Sequence, residues 1–303
     1  MIWLLSVAFA GSGPWTIPSG STNLYLGLDQ VRYDQVVTPS GRRDLDGGIS
    51  AVAAVGVFTV GVLDGVELEV VAPWVRSRHA NPDGELCTGA SRPDDWCDVT
   101  SSLGNVRFGI KGLVLDEAAL HPVSIALGAH VRSGEAYSQT RGRLTALGEG
   151  QTDLGASASI GRTGGAMKAG WYQAGATVRY WHRLPLTTTP RKVPADELDA
   201  DLTAVISPVA RLGMGPLVSM FYRLGGDNLG QDLDLTDPNG FAALAAAQLK
   251  VGGQIAVYGD RGLTVTAGAA ATVWARNNPS DTLVLSVGLG WYRDRSPEPP
   301  PAS

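Results

Sequence analysis

The stretch LVLSVGLGWY, residues 283–292, places leucine, valine or tryptophan at every odd position and mostly small or polar residues between them. A period of two is typical of a β-strand with one apolar face, because successive side chains of a strand point to opposite sides. This strand therefore has one face suited to an apolar environment and one face that is not.

Twelve stretches of the chain show a similar alternation. One of them contains Pro208, which removes a backbone donor, so we expect a bulge or local break there. We predict strands at residues 23–34, 48–62, 65–78, 103–115, 122–133, 151–163, 167–182, 200–211, 216–225, 241–258, 263–275 and 281–292.

The connections between these stretches alternate short with long. Turn residues occupy the short ones at 64–65, 164–165, 213–215 and 259–262, whereas the long ones at 79–102, 134–150, 183–199 and 226–240 are polar. This layout is typical of outer-membrane barrels. The sequence therefore predicts an all-β fold: an antiparallel transmembrane up-and-down β-barrel of about 12 strands, with short periplasmic turns and long extracellular loops.

Composition agrees with this prediction. Of 303 residues 17% are charged, the formal net charge is -5, and mean hydropathy is +0.03. Beyond the N-terminus, no apolar run approaches the ~20 residues that a membrane-spanning helix needs. In a barrel, lipid-facing and lumen-facing residues average to neutral hydropathy. The mild acidity argues against a nucleic-acid partner, and no cofactor is indicated.

The two ends of the chain predict processing and disorder. MIWLLSVAFA is apolar and ends in an A-x-A pattern before Gly11, which predicts a signal peptide over residues 1–10. A buried first strand is the alternative interpretation. We expect an N-terminal periplasmic segment at 11–22, the barrel at 23–292 and a disordered Pro-rich tail at 293–303. The expected location is the bacterial outer membrane.

The strand faces separate lipid-facing from lumen-facing residues. On the fourth predicted strand Arg107 and Lys111 alternate with Phe108 and Ile110. Arg or Lys facing lipid at mid-depth costs roughly 2–4 kcal/mol, so the charged face must line the lumen. We predict that Val106, Phe108, Ile110, Leu285, Val287 and Leu289 face lipid, and that Glu67, Glu69, Arg107, Lys111, His130, Arg132, Asp153 and Arg179 line the lumen.

Counting back from the turns predicts close cross-strand neighbours: Glu69 near Lys111, Arg107 near His130, and Asp153 near Thr177 and Arg179. Each pair of opposite charges contributes ~0.2–1 kcal/mol. The resulting belt has two interpretations, a polar ladder that orients a permeant or a structural network that fills a narrow barrel. Twelve strands lie between the eight that give a filled interior and the 16–18 that give an open channel.

A resemblance to a known family rests on four segments in order, at residues 56–73, 103–111, 123–128 and 148–154. The first contains a glycine-bearing strand, a turn at Asp64, then Glu67-Leu68 and a strand that reaches Pro73. These segments resemble the outer-membrane "MetA-pathway of phenol degradation" family of transporters, distantly similar to the long-chain fatty-acid channels. The match covers about residues 45–185. It implies an uptake channel for small hydrophobic or aromatic compounds and transfers no catalytic residues.

Two loops carry residues with other chemistry. Cys87 and Cys97 lie close together on one predicted loop, and in an exported protein they most simply form a disulfide. Zinc binding with His79 is the alternative. Asp232, Asp234 and Asp237 place oxygen ligands at intervals that suit calcium, although such clusters are also ordinary loop residues.

The predicted function is that of a channel or transporter for small, hydrophobic or aromatic compounds. The alternatives are a structural or surface-adhesion barrel with a filled lumen and, third, an outer-membrane enzyme. None of His79, His121, His130 and His182 has a nucleophile at a fixed relation in the sequence, so we predict no enzyme. Expected partners are outer-membrane lipid and lipopolysaccharide, the barrel-assembly machinery and a small-molecule permeant.

Overall fold

The computed structural model describes residues 13–79, 100–133, 152–166, 170–184, 195–226 and 245–294. Nearly all of them lie in antiparallel strands, and two single 3-10 turns lie at Glu117–Ala119 and Asp260–Gly262. The strands are β1 Thr22–Thr38, β2 Gly41–Leu63, β3 Val66–His79, β4 Thr100–Leu103, β5 Arg107–Leu115, β6 Ser124–Arg132, β7 Thr152–Ala166, β8 Gly170–Leu184, β9 Glu197–Val209, β10 Leu212–Arg223, β11 Ala247–Tyr258, β12 Leu263–Arg276 and β13 Leu283–Arg293.

The sheet closes on itself. Each strand pairs with its neighbours in chain order, and β13 returns to β1 with a register that runs from Thr22↔Arg293 to Arg32↔Leu283. Short β4 and β5 both pair with β3 and act as two halves of one strand. Counted this way, twelve strands form the closed barrel, which confirms the predicted fold. Among the described residues, no helix is long and apolar enough to cross a membrane.

The hydrogen-bond ladder on β3 is interrupted at Pro73, which has no backbone N–H to donate. Between the pairs Val71↔Arg107 and Trp74↔Leu103, β3 has two residues (72–73) and the facing segment has three (104–106). The amide of Gly104 donates to the carbonyl of Pro73 at 2.6 Å. The fourth predicted strand is therefore split, and Val106 lies in the break rather than in the lipid-facing row. The irregularity expected at Pro208 is confirmed by a register shift between β9 and β10.

Several element boundaries differ from those predicted. β1 and β2 extend past the membrane-facing part into a projecting hairpin with a two-residue turn, whereas a longer connection was expected there. The Asp281 carboxylate fixes this hairpin by accepting from the amides of Asp34 and Gln35. The expected turns at 164–165 and 213–215 are wrong, since both segments lie inside strands, whereas those at 64–65 and 259–262 are confirmed.

An apolar belt covers the outer face. The predicted lipid-facing residues Phe108, Ile110, Leu285, Val287 and Leu289 are 45–53% exposed. Exposed aromatic side chains lie toward both ends of the strands, as expected for the two membrane interfaces, and they include Trp74 and Trp274 at the long-loop end and Tyr172 and Trp291 at the short-turn end.

Candidate functional site: the barrel lumen

Charged side chains of β3 to β9 face the lumen near its middle. Each is paired with an opposite charge on a neighbouring strand, and side-chain exposure there is at most 14%. We call these residues the inner ionic cluster: Lys111 Nζ lies 2.8 Å from Glu67 Oε1, Arg107 Nη2 lies 2.7 Å from Glu69 Oε1, and Arg179 Nη1 lies 2.6 Å from Asp201 Oδ2.

A second group, the outer ionic cluster, lies toward the long-loop end and is centred on Glu197. Its members are the fully buried Glu197, three arginines that contact it, and Asp153, which accepts from Arg132 Nε at 2.6 Å. The contacts of Glu197 are Arg132 Nη2 at 2.6 Å, Arg183 Nη1 at 2.8 Å and Arg223 Nε at 3.1 Å. Buried charges persist in an apolar environment only when they are paired in this way.

The opposite side of the lumen is mostly apolar. Buried residues of β1, β2, β3, β10, β12 and β13 form one cluster, which we call the apolar arc and which consists of Val31, Tyr33, Ile49, Ala51, Ala53, Val75, Leu217, Ala270 and Val284. Leu217 on β10 reaches this cluster and is fully buried. The lumen thus has a charged side, on which each charge contacts an opposite charge, and a mostly apolar side, to which the buried Asp29 and Lys250 also belong.

Residues 13–21, here called the strap, enter the lumen from the short-turn end. At the rim, the amide of Gly20 donates to Gly61 O at 2.8 Å, and the Ser21 hydroxyl donates to Asp294 at 3.1 Å. A Cβ on Gly61 would lie 2.1 Å from the carbonyl oxygen of Pro18, so only glycine allows this approach. The strap is therefore fitted to the wall at its point of entry.

Deeper in the lumen, the strap bonds to the inner ionic cluster. Lys111 Nζ donates to the carbonyls of Gly13 at 3.2 Å and Trp15 at 2.8 Å. Glu67 accepts from the amide of Ile17 at 3.0 Å, and the amide of Gly13 donates to Thr177 Oγ1 at 3.2 Å. The segment expected to be periplasmic is thus, over its described part, a lumen-filling element.

Beside the inner ionic cluster, Ser157 Oγ lies 2.8 Å from His130 Nε2, and both residues line a small cavity with Glu69 and Arg179. The sequence did not indicate this pair, because the two residues come together only across β6 and β7. His130 Nδ1 is buried with no hydrogen-bond partner. A nucleophile and its base need a third group that orients the base, so the pair lacks a feature of a hydrolytic site.

All eight residues predicted to line the lumen lie in these two clusters or beside them, but their pairing differs in detail. Glu69 pairs with Arg107, and Lys111 pairs with Glu67. Asp153 contacts Arg132 and faces Arg183 rather than Thr177 or Arg179. As expected, Arg107 interacts electrostatically with His130, but the hydrogen bond of His130 goes to Ser157.

Seven charged lumen residues were missed: Asp29, Arg183, Glu197, Asp199, Asp201, Arg223 and Lys250. For three of them the signal was present, since residues 197–202 read ELDADL with an acidic residue at every second position. The eighth predicted strand began at residue 200, whereas β9 begins at Glu197, so Glu197 and Asp199 were left out of the predicted strand. Acidic alternation at the end of a long loop is therefore as informative as apolar alternation.

Other candidates lie elsewhere. Cys87 and Cys97, the calcium candidates Asp232, Asp234 and Asp237, the signal peptide and most of the tail lie outside the described residues. His121 is exposed beside a short turn. His182 is also exposed, on the outer face, and contacts Asp196 at 3.2 Å.

Comparison with solved structures agrees with the fold. The chain is similar to the COG4313 outer membrane channel from Pseudomonas putida F1, with a TM-score of 0.68 and 11% identity over 92% of this chain and 98% of that one. The chain has the fold of an outer-membrane β-barrel. At this identity the likeness concerns the fold. No family model and no curated protein matches the chain.

Weaker likenesses extend to barrels of other kinds. The translocator domain of the autotransporter NalP from Neisseria meningitidis has a TM-score of 0.44 and 11% identity over 92% of this chain and 90% of that one. The CymD monoaromatic hydrocarbon channel has a TM-score of 0.43 and 10% identity over the same shares. Neither score is high enough to support a functional argument.

Proposed function

We propose that the protein is an outer-membrane channel for small, uncharged hydrophobic or aromatic compounds, and that it belongs to the "MetA-pathway of phenol degradation" family. The observation that carries the proposal is the two-sided lumen, in which the apolar arc faces two clusters of paired charges. The similar structure from Pseudomonas putida F1 is itself a channel.

The physical argument concerns what each side offers a solute. An aromatic or aliphatic surface gains free energy on leaving water, about 25 cal/mol per Å² of apolar area removed. Paired charges present little net field, so they do not favour ions of either sign, yet they can hydrogen-bond a hydroxyl group. A neutral molecule with one polar group therefore matches this lumen better than a salt ion does.

Uptake by liposomes that contain the purified protein tests the proposal. We expect the protein to raise the rate of phenol entry above that of protein-free liposomes by a larger factor than it raises the rate of arabinose entry, although both solutes are small and neutral. Ala270 on β12 belongs to the apolar arc and is buried, whereas its neighbour Ala269 is exposed on the outer face. Ala270→Leu should slow phenol entry because it narrows the apolar side, and Ala269→Leu, the same change on the lipid face, should leave it unchanged.

The remaining assignments follow from the same proposal. The barrel lies in outer-membrane lipid, with lipopolysaccharide around its long-loop end. We further propose the barrel-assembly machinery as a folding partner, because Ser286, Gly288 and Trp291 on the last strand have the spacing of an assembly signal. No catalytic role is assigned, since the Ser157–His130 pair lacks an orienting third group.

The alternative is a structural or adhesive barrel with a closed lumen. One observation favours it: the strap and the two ionic clusters occupy much of the lumen. In that case liposomes that contain the protein, or a variant whose strap is removed, would take up small solutes no faster than protein-free liposomes do. Phenol uptake through the strap-free barrel that exceeds the uptake of protein-free liposomes would exclude the structural alternative.

A further inference from the structure

Trp15 of the strap occupies a slot in the inner wall of the barrel. Its indole lies against Gly161 and Gly175, which are direct cross-strand partners on β7 and β8. A Cβ on Gly161 would lie 2.6 Å from the indole Cη2, and one on Gly175 would lie 3.2 Å from Cζ3. The two glycines therefore leave a slot on the inner wall that takes the six-membered end of the indole.

The edge of this slot carries a fixed acceptor. Trp15 Nε1 donates to Glu117 Oε1 at 3.1 Å. The same carboxylate accepts from the amide of Thr163 at 2.9 Å and from its hydroxyl at 2.5 Å, so its position is set by β7 and not by the strap. A slot lined by glycine backbone, with a carboxylate at one edge, complements an aromatic ring that bears one hydrogen-bond donor.

We propose that this slot, formed by Gly161, Gly175, Glu117 and Thr163, is a binding site for a donor-bearing aromatic ring, and that Trp15 occupies it as a built-in competitor. A soluble ring that enters the slot displaces Trp15 and loosens the strap. The site itself is independent of transport, whereas the idea that its occupation opens the lumen rests on the proposed channel function.

The rest of the strap can leave without stranding a charge. Its other deep bonds go mainly to Lys111 and Glu67, and these two side chains pair with each other at 2.8 Å. When the strap withdraws, both ions keep a partner, so the desolvation penalty of an unpaired buried charge does not arise. Only the rim contacts near Gly20 and Ser21 need to stay in place.

Calorimetric titration of the full-length Trp15→Ala barrel with indole tests the site. We expect indole to bind this variant at least tenfold more tightly than the wild type, whose slot is occupied. 1-Methylindole, which has the same ring but no N–H donor, should bind the variant about tenfold more weakly than indole, because a hydrogen bond to a charged acceptor is lost. Heat-dependent migration on gels confirms that the variant is folded.

Two double variants locate the binding. Trp15→Ala with Gly161→Ala should lose indole binding, because the new methyl group occupies the slot. Trp15→Ala with Gly112→Ala should keep it, since a Cβ on Gly112 meets no atom within 4 Å. Absence of indole binding to the folded Trp15→Ala barrel, or equal binding by both double variants, overturns the site. Indole binding without solute uptake would overturn the channel function and leave the site standing.

Discussion

At the scale of single residues, the inner wall places rings over glycines. A side chain on the wall next to a large ring would overlap it, so a glycine there lets the ring lie flat against the sheet. Besides Trp15 over Gly161, three rings show the pattern: a Cβ would lie 2.6 Å from Trp181 at Gly155, 2.4 Å from His130 at Gly109 and 2.0 Å from Tyr25 at Gly288. The many glycines of this chain thus have a local role in packing the lumen.

Glu197 is the side chain whose replacement we expect to cost most. Glu197→Gln keeps the shape but leaves Arg132, Arg183 and Arg223 without their shared anion, at a site with no exposure to water. The free energy of unfolding should fall by about 3–5 kcal/mol, measured by urea unfolding in detergent.

Asp260→Asn is the matched control for that loss. Asp260 pairs with Arg211 at 2.9 Å, but both side chains are 70% or more exposed at the rim. An exposed pair contributes at most about 1 kcal/mol, so this change should have little effect. Equal losses from the two variants would contradict the central role of Glu197.

The pKa of Glu117 sets a pH dependence for the strap. Burial disfavours the charged carboxylate, but hydrogen bonds from Thr163 and Trp15 and the charge of Arg162 outweigh it and hold the pKa of Glu117 below its usual value. The bond to Trp15 should therefore persist at neutral pH and be lost only as pH falls through this lowered pKa. The NMR resonance of the Trp15 indole N–H reports the loss, and a midpoint above the pKa of an ordinary glutamate would refute the prediction.

At the scale of elements, alternation was predictable and register was not. Alternation is local to each strand, so the lumen and lipid faces of β5 and β13 follow from the sequence. Register depends on how two strands meet. β3 and β5 are separated by residues 80–106, and no short turn fixes their offset, so Glu67 rather than Glu69 faces Lys111.

Turn position caused the other pairing errors. Placing a turn at 164–165 shifts every partner of β7, whereas β7 in fact runs to Ala166 and sets Asp153 opposite Arg183. Strap binding could not be predicted at all, because it depends on the space that glycines of distant strands leave in the assembled wall.

The lipid face can be probed with single cysteines in a background that lacks Cys87 and Cys97. Cysteines at Phe108, Leu285 and Val287 should resist a water-soluble maleimide in intact membranes, because these positions face hydrocarbon. A cysteine at Arg211, on the exposed rim, should react readily. Rapid labelling at the first three positions would refute the face assignment.

The cysteines themselves give a prediction for the loop that follows β3. We expect Cys87 and Cys97 to form a disulfide in the exported protein. In the chain-entropy model, closing about ten residues contributes up to ~3 kcal/mol, an upper figure for an exposed loop. Non-reducing mass spectrometry of the purified protein should show a loss of two hydrogens, and two free thiols would disprove the pairing.

At the scale of the whole molecule, the charges in the lumen balance. Among the described strands, the charged side chains that are buried or nearly so comprise as many acids as bases: Asp29, Glu67, Glu69, Asp153, Glu197, Asp199 and Asp201 against Arg107, Lys111, Arg132, Arg179, Arg183, Arg223 and Lys250. The lumen therefore has strong local dipoles and no net charge of its own.

This balance predicts weak ion selectivity, which one substitution should change. In a barrel whose strap is removed, Arg107→Met leaves Glu69 without its partner, so the reversal potential in a potassium chloride gradient should shift toward cation selectivity. Unfolding free energy should also fall, since the remaining carboxylate is poorly solvated. Arg211→Met at the rim is the control, and identical reversal potentials in both variants would argue against the prediction.

The pairing of β13 with β1 has a consequence for how the barrel forms. It joins the first and last of the described strands, and the bond between Ser21 and Asp294 links residues 273 apart in sequence. Contacts between such distant residues form late and slow the folding of a chain. Until they form, β1 and β13 are open edges that can pair with another molecule. Aggregation during folding is therefore most sensitive to these two strands, where Gly27 meets Gly288.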